Sequence, residues 1–399
     1  MVRSRKAQVR FRERLFQAGV FLLPLICWPG LAHPFSTPKL VLLAALDLAL
    51  AVDWLLRKPG HAASHMTDHE RRWSVPPWLL WPAALALSAS LAPYPSLAAL
   101  LLAALPLPLF LEPRCDPALA LAWRDALRWA STAESAIVAL QYIGLDPLRV
   151  LGWQPESFAS PRMRIYGTLG NPDFVAAWLC ATLPLTVCSH RHRRLPVWLP
   201  ATLQLLAIFA TGSRVFLVAL PVAAAALALR RRRLEKFWLA GLPVAAAVLW
   251  LSPARPLDVT IAGRLSLDRA TAAHLLETPL TGFGPGAFPL QFARWQPLTA
   301  GQVQHAHNDY LEFWIDYGPI GLAAFLALSA WLLSAAWRPD VDAAAWAGAA
   351  ALLAIALVDF PFHRPAEWGL YWLLLEMCEI NAARNQRSIG ECHSQPNEF

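Results

Sequence analysis

The chain has 399 residues, 57% of them hydrophobic and 15% charged, with 19 tryptophans and a formal net charge of +7. Its apolar residues come in repeated runs long enough to cross a bilayer core, which takes about 20 residues, so an ordinary soluble domain is excluded and an all-α polytopic membrane protein is expected. No basic face interleaved with aromatics exists outside these runs, which argues against a nucleic-acid partner and leaves membrane lipids as the chain's surroundings.

The opening MVRSRKAQVRFRER, followed by LFQAGVFLLPLICW, mimics the charged and apolar regions of a signal peptide. No small-residue cleavage site follows, so it is read as a retained first helix. Hydropathy predicts about twelve spans. They lie near 14–31, 37–56, 76–93, 95–112, 124–144, 172–189, 196–211, 214–230, 237–252, 318–337, 343–360 and 366–380. Threading them puts the Lys- and Arg-rich stretches (the N-terminus, Arg57 to Arg72, Arg191 to Arg194, Arg230 to Lys236, and the tail with Arg384 and Arg387) on one side, the cytoplasm. Three regions follow: an N-terminal membrane bundle of about nine spans (1–252), a large periplasmic loop (253–317), and C-terminal spans with a cytoplasmic tail (318–399). Of the six cysteines, Cys27, Cys180, Cys188 and Cys378 fall in spans, and Cys115 and Cys392 in cytoplasmic loops. Neither a disulfide framework nor a thiolate metal site is implied.

Two longer polar segments, about 145–171 and 253–317, lie on the outer face, where loops of this length carry structure or function. In the first, Arg162 and Arg164 precede a helix start marked by Asn171 as cap, Pro172 and Asp173. These two arginines suit either a phosphate or the headgroup surface. In the second, GRLSLDRATAAHLLE (263–277) predicts a helix with an apolar side of Leu265, Leu267, Ala272, Leu275 and Leu276. There Arg264 and Arg269 lie with Asp268, four residues after Arg264; the plain reading is a solvated, salt-bridged face, preferred for Arg269. TPLTGFGPGAF, next along, reads as a turn; its glycines follow no strand, so a nucleotide fingerprint is not supported.

Arg214 follows Gly212-Ser213 at the predicted start of the eighth span. A cation there opposes the helix dipole unless an anion lies between them, in which case N–H groups, dipole and guanidinium converge on it. The alternative is an arginine snorkelling to the interface. His307 and Asn308 precede a helix on which Tyr310, Leu311, Trp314 and Tyr317 recur at helical spacing. A neutral imidazole at this point can take a proton from a hydroxyl. His305 and His307 lack a convergent third ligand, so no metal site is expected. Asp309, Glu312 and Asp316 read as exposed acids able to orient the imidazole or bind sugar hydroxyls. Asp47 and Glu134, inside spans, must face other helices or water, and a proton relay through them keeps a transporter reading open.

His307-Asn308, nine residues, then Gly318-Pro319-Ile320-Gly321, together with GTLGNPDFVAAWL (167–179), TGSRVFLVAL (211–220) and GRLSLDRATAAHLLETPLTGFGPGAF (263–288), resemble the bacterial O-antigen ligase family. Its wider superfamily includes O-antigen polymerases and protein O-oligosaccharyltransferases. The resemblance implies a GT-C-like enzyme of the inner membrane, with its active site facing the periplasm. It would pass a glycan from undecaprenyl diphosphate to a hydroxyl of lipid A–core, with neither cofactor nor metal. Carried over by motif, Arg214 and Arg264 hold the diphosphate and His307 activates the acceptor. Arg269 competes with Arg264 for its role, and Arg162, Arg164, Asn308 and His305 complete the substrate-binding set. A polymerase, a protein-glycosylating enzyme and a non-enzymatic polyprenyl-glycan flippase are the rival readings.

Overall fold

The structure, a computed structural model, describes residues 2–56, 80–92, 96–104, 117–154, 165–188, 198–230, 257–296, 303–334 and 342–378. Every regular element among them is helical. The longer ones are α1 (Val2–Leu25), α2 (Thr37–Leu56), α3 (Leu80–Leu91), α4 (Leu97–Ala104), α5 (Pro117–Tyr142), α6 (Pro172–Val187), α7 (Trp198–Ala210) and α8 (Phe216–Arg230). They continue with α9 (Leu257–Ala272), α10 (Phe288–Trp295), α11 (Asp309–Ser334), α12 (Ala343–Ile355) and α13 (365–378).

Apart from α9 and α10, which fall in the predicted outer loop, these helices lie along the predicted apolar runs; the run 237–252 falls outside the described residues. One helix, Asp309–Trp331, is long and apolar enough by itself to cross a membrane; the six shorter apolar helices have 10–17 residues. The described helices do not by themselves show about twelve full spans. α6, capped by Asn171 and ending at Cys188, is 16 residues long, about 24 Å against a hydrocarbon core of about 30 Å.

Small residues and internal pairs bring the helices together. Gly348 on α12 lies so close to α6 that a Cβ would sit 2.2 Å from the Ala181 carbonyl oxygen, the kind of backbone approach that small residues permit between membrane helices. Asp342 caps α12 by accepting from the Ala344 and Ala345 amides, and pairs at 2.8 Å with Arg124 of α5. Glu134 is fully buried, as its position in a span requires, and accepts from the Thr168 amide at 2.9 Å and from the Thr168 hydroxyl. Lys39 donates to the Thr168 carbonyl at 2.8 Å and to that of Ile26 at 2.6 Å. The loop before α6 is thus pinned from two sides by buried charge.

The predicted start of a span at Gly318 coincides with a break inside α11, where Gly318 has φ 70° and ψ 178° and the helix predicted from Tyr310 to Tyr317 runs up to it. The carbonyls freed by the break are taken up by the TGFGPGAF segment: Phe283 N donates to Ile315 O and Gly284 N to Asp316 O, both at 2.9 Å. The Asp316 carboxylate adds the amides of Gly286 (2.8 Å) and Phe288 (2.9 Å). Glycine is required on both sides, since a Cβ on Gly282 would sit 2.1 Å from Asp316 O and one on Gly318 2.2 Å from Leu280 O.

The predicted loop helix is α9 with a 3-10 turn, Leu275–Glu277, beyond it. Its apolar side is narrower than expected. Leu267 and Leu275 pack on a small core of Phe288, Phe292, Ala306 and Ile315, while Leu265, two residues from Leu267 and so on the opposite side of the helix, and Leu276, in the 3-10 turn beyond Ala272, are exposed.

Candidate active site

His307 is the only non-glycine among the described residues with a left-handed backbone, φ 54°. For a residue with a Cβ that conformation costs free energy and persists only where the surroundings over-determine it. They do so here. On the N-terminal side, Glu312 accepts from Ala306 N and from His305 Nδ1, each at 2.8 Å. On the C-terminal side, Asn308 Oδ1 accepts from the amides of Tyr310 (3.2 Å) and Leu311 (3.3 Å), capping α11. The Asn308 side chain also bonds Asp268 of α9, and Asp309 N donates to Ala356 O at 2.9 Å.

The His307 ring is 42% exposed, and its Nδ1 lies 3.3 Å from Oδ1 of the buried Asp359. Phe360 meets it edge-on at 5.0 Å between centroids. A carboxylate on Nδ1 keeps that nitrogen protonated and leaves Nε2, on the open side, as the acceptor. This is the arrangement a general base requires.

The cationic side is assembled from three elements. Arg264 of α9 reaches Asp173 Oδ2 at 3.9 Å through Nη2, and its Nη1 donates to the Val358 carbonyl, next to Asp359. Ser213 Oγ donates to Asp173 Oδ1 and accepts from Val215 N at 3.2 Å. Arg214, half-buried, sits in this turn, and α8 begins two residues later at Phe216. Arg214 therefore precedes the helix instead of lying in its first turn, because Ser213 caps the turn at Val215. Asp173 joins the two predicted arginine segments. A chain of contacts then runs from Ser213 through Asp173 and Arg264 to Val358, Asp359 and His307.

Arg364 adds a cation behind this chain. Its guanidinium lies 3.3 Å from Asp359 Oδ2, 3.7 Å from Glu367 Oε1 and 3.9 Å above the Phe174 ring. Asp268 was expected on a solvated face with Arg264 and Arg269. It is half-buried instead, and burial raises its carboxyl above the ordinary range against the opposing pull of Asn308, Arg264 and His307. Arg269 is exposed, as expected of a solvated residue. Arg162 and Arg164 lie outside the described residues.

Asp309, Glu312 and Asp316 are not exposed acids: all three are buried, around His363. The His363 Nδ1 is 2.6 Å from Asp309 Oδ1, and its Nε2 is 3.4 Å from Glu312 Oε1 and 3.8 Å from Asp316 Oδ2. Burial works against a charge on this ring, but the Glu312 and Asp309 carboxylates outweigh it and hold the imidazole well above its ordinary value. The acids turn inward because 309, 312 and 316 share one face of α11, and that face meets the 361–364 turn.

Sequence reasoning missed Asp359, His363 and Arg364. A signal was there: the twelve-span threading puts the short link 361–365 on the outer face with His307, and the stretch 359–364, Asp-Phe-Pro-Phe-His-Arg, places three charged or ionisable residues at that end of the spans.

Residues 199–326 match the family described as O-Antigen ligase. No curated protein matches the chain. Members of that family are membrane-embedded, glycosyltransferase-like enzymes. The matched stretch, about a third of the chain, holds Arg214, Arg264 and His307 and supports the O-antigen ligase family for this chain.

Proposed function

We propose that this chain joins an O-polysaccharide, delivered on undecaprenyl diphosphate, to a hydroxyl of lipid A–core at the periplasmic face of the inner membrane. The observation that carries this reading is the geometry of His307, which is strained, half-open to solvent and backed by Asp359, on the same chain of contacts as Arg264. In the reaction the acceptor oxygen attacks the anomeric carbon of the donor sugar. Its proton passes to His307 Nε2 while the bond from that carbon to the diphosphate oxygen breaks. Direct displacement inverts the anomeric carbon. Negative charge then grows on the departing lipid diphosphate, where fixed guanidinium groups in a partly dry site stabilise it. Arg214 and Arg264 supply that charge, and Arg264 loosens from Asp173, only 3.9 Å away, as the stronger anion arrives.

The test has two arms. Purified protein, given lipid-diphosphate-linked glycan and lipid A–core, transfers the glycan; protein that transfers none under conditions where the donor stays intact removes the enzymatic reading. Deletion of the gene leaves bare core with accumulated lipid-linked polymer. Core bearing a single repeat would assign polymerisation instead, and an unchanged lipopolysaccharide ladder would exclude both.

A further inference from the structure

Behind the Phe360 ring lies a second cluster that the transfer chemistry does not use. Phe360 stacks on His305 at 4.1 Å between centroids and meets His307 by its edge, so it partitions the two histidines. On the His305 side, His305, Glu312 and His363 each direct one ligand atom into a common space, all within 4.8 Å of one another. The separations are 2.8 Å from His305 Nδ1 to Glu312 Oε1 and 3.4 Å from there to His363 Nε2. Asp316 Oδ2 lies 3.8 Å from the same nitrogen and offers a fourth corner. Ligands at about 2.0–2.1 Å around a tetrahedral zinc-type ion are separated by about 3.3 Å, so the cluster is close to that size already.

Two further observations point to a ligand. His363 Nε2 is buried, in a side chain only 8% exposed, yet makes no aligned hydrogen bond. Its other nitrogen is bound at 2.6 Å by the Asp309 carboxylate, the outer-shell partner that fixes a metal-binding histidine in the tautomer presenting Nε2. The cluster also carries three buried carboxylates against two imidazoles, an imbalance that a divalent cation reduces.

We propose that His305, Glu312 and His363, with Asp316 as fourth ligand, form a structural site for a divalent transition-metal ion of the zinc class. Binding displaces the proton from His363 Nε2 to solvent. The ion braces the segment that holds His307, since Glu312 also binds Ala306 N. It takes no part at the arginine-lined phosphate site on the other side of Phe360. The spacing of His305 and His307 gives no third ligand along the chain; folding supplies it from α11 and from the turn before α13.

The site is tested on the full chain, purified in detergent, stripped with chelator and dialysed against Co(II) or Zn(II). We expect about one ion per chain by elemental analysis and the visible absorption of tetrahedral cobalt. His305→Ala, whose ring is one-third exposed and tolerant of removal, lowers uptake at least tenfold, as does Glu312→Gln. His307→Ala and His274→Ala retain the ion. Wild-type protein that takes up no more metal than His305→Ala, or cobalt without the tetrahedral spectrum, overturns the site even if His363 variants fail to fold. Because the readout is metal content, the outcome is independent of whether glycan transfer is detected.

Discussion

Two histidine–carboxylate groups flank the turn that carries Phe360, His307 with Asp359 and His363 with Asp309, and they are built for opposite ends. His307 meets Asp359 at 3.3 Å with its ring half-open, on a strained backbone. His363 meets Asp309 at 2.6 Å, closed in, with two more acids around it. Identical residue types do different work because exposure decides whether a proton can leave. An open imidazole with one carboxylate exchanges protons with a substrate, whereas a closed imidazole among three carboxylates keeps a positive charge beside them, its own proton's or a bound ion's, and serves as a fastening.

Breaking the open group should have the largest effect. His307→Ala is expected to lower glycan transfer by about 10²–10⁴-fold while leaving the thermal midpoint nearly unchanged, read by transfer assay and scanning fluorimetry. Near wild-type transfer would remove the base from His307. Arg264→Ala and Arg214→Ala should each lose about 10²–10³-fold, with a lysine at Arg264 restoring only part. Asp359→Asn should cost about 10–100-fold and shift the pH profile of transfer, since it releases the tautomer of His307 without removing the base. Breaking the closed group should move stability instead. In chelator-treated protein, His363→Gln leaves buried carboxylates uncompensated and costs about 3–5 kcal/mol by denaturant titration.

That last pair also has a pH signature of known sign. A histidine whose folded value is raised contributes stability that is fully present below its unfolded value, about 6.5, and lost as pH rises through the folded value. Metal-free wild-type protein should therefore lose stability as pH climbs above neutrality, and His363→Gln should flatten that slope. The smallest effect is expected at Arg269, where alanine should change transfer by less than about twofold, as for an exposed surface residue. A larger loss would move the phosphate contact from Arg264 to Arg269.

What could be read in the chain beforehand follows the range of the interaction. The start of α6 was legible because Asn171 and Pro172 act on their own next turn. Arg214, Arg264 and His307 stood out by residue type and spacing in polar outer segments. The partners Asp359 and His363 did not, being 52 and 54 residues from the groups they bind. The inward turn of Asp309, Glu312 and Asp316 was half-legible: their spacing marks one helical face, but a face of acids normally means water unless a distant cation covers it. The break in α11 was visible as glycine and proline, with helix read on both sides of it; the docking of the 280–286 segment against it was not, because that contact comes from about 35 residues away.

The seam at Gly282 and Gly318 has a consequence for how the outer loop behaves. At the two glycines it is stitched main chain to main chain, and the Asp316 carboxylate adds two bonds beside them. Side chains other than Asp316 on either segment can therefore change without altering the seam's length, and the distance from the α9 arginine to the α11 histidine is set largely by peptide geometry. A single added methyl at either glycine acts like a shim in that joint. Its effect should surface tens of residues away, as a misplaced phosphate cradle in a protein that remains folded.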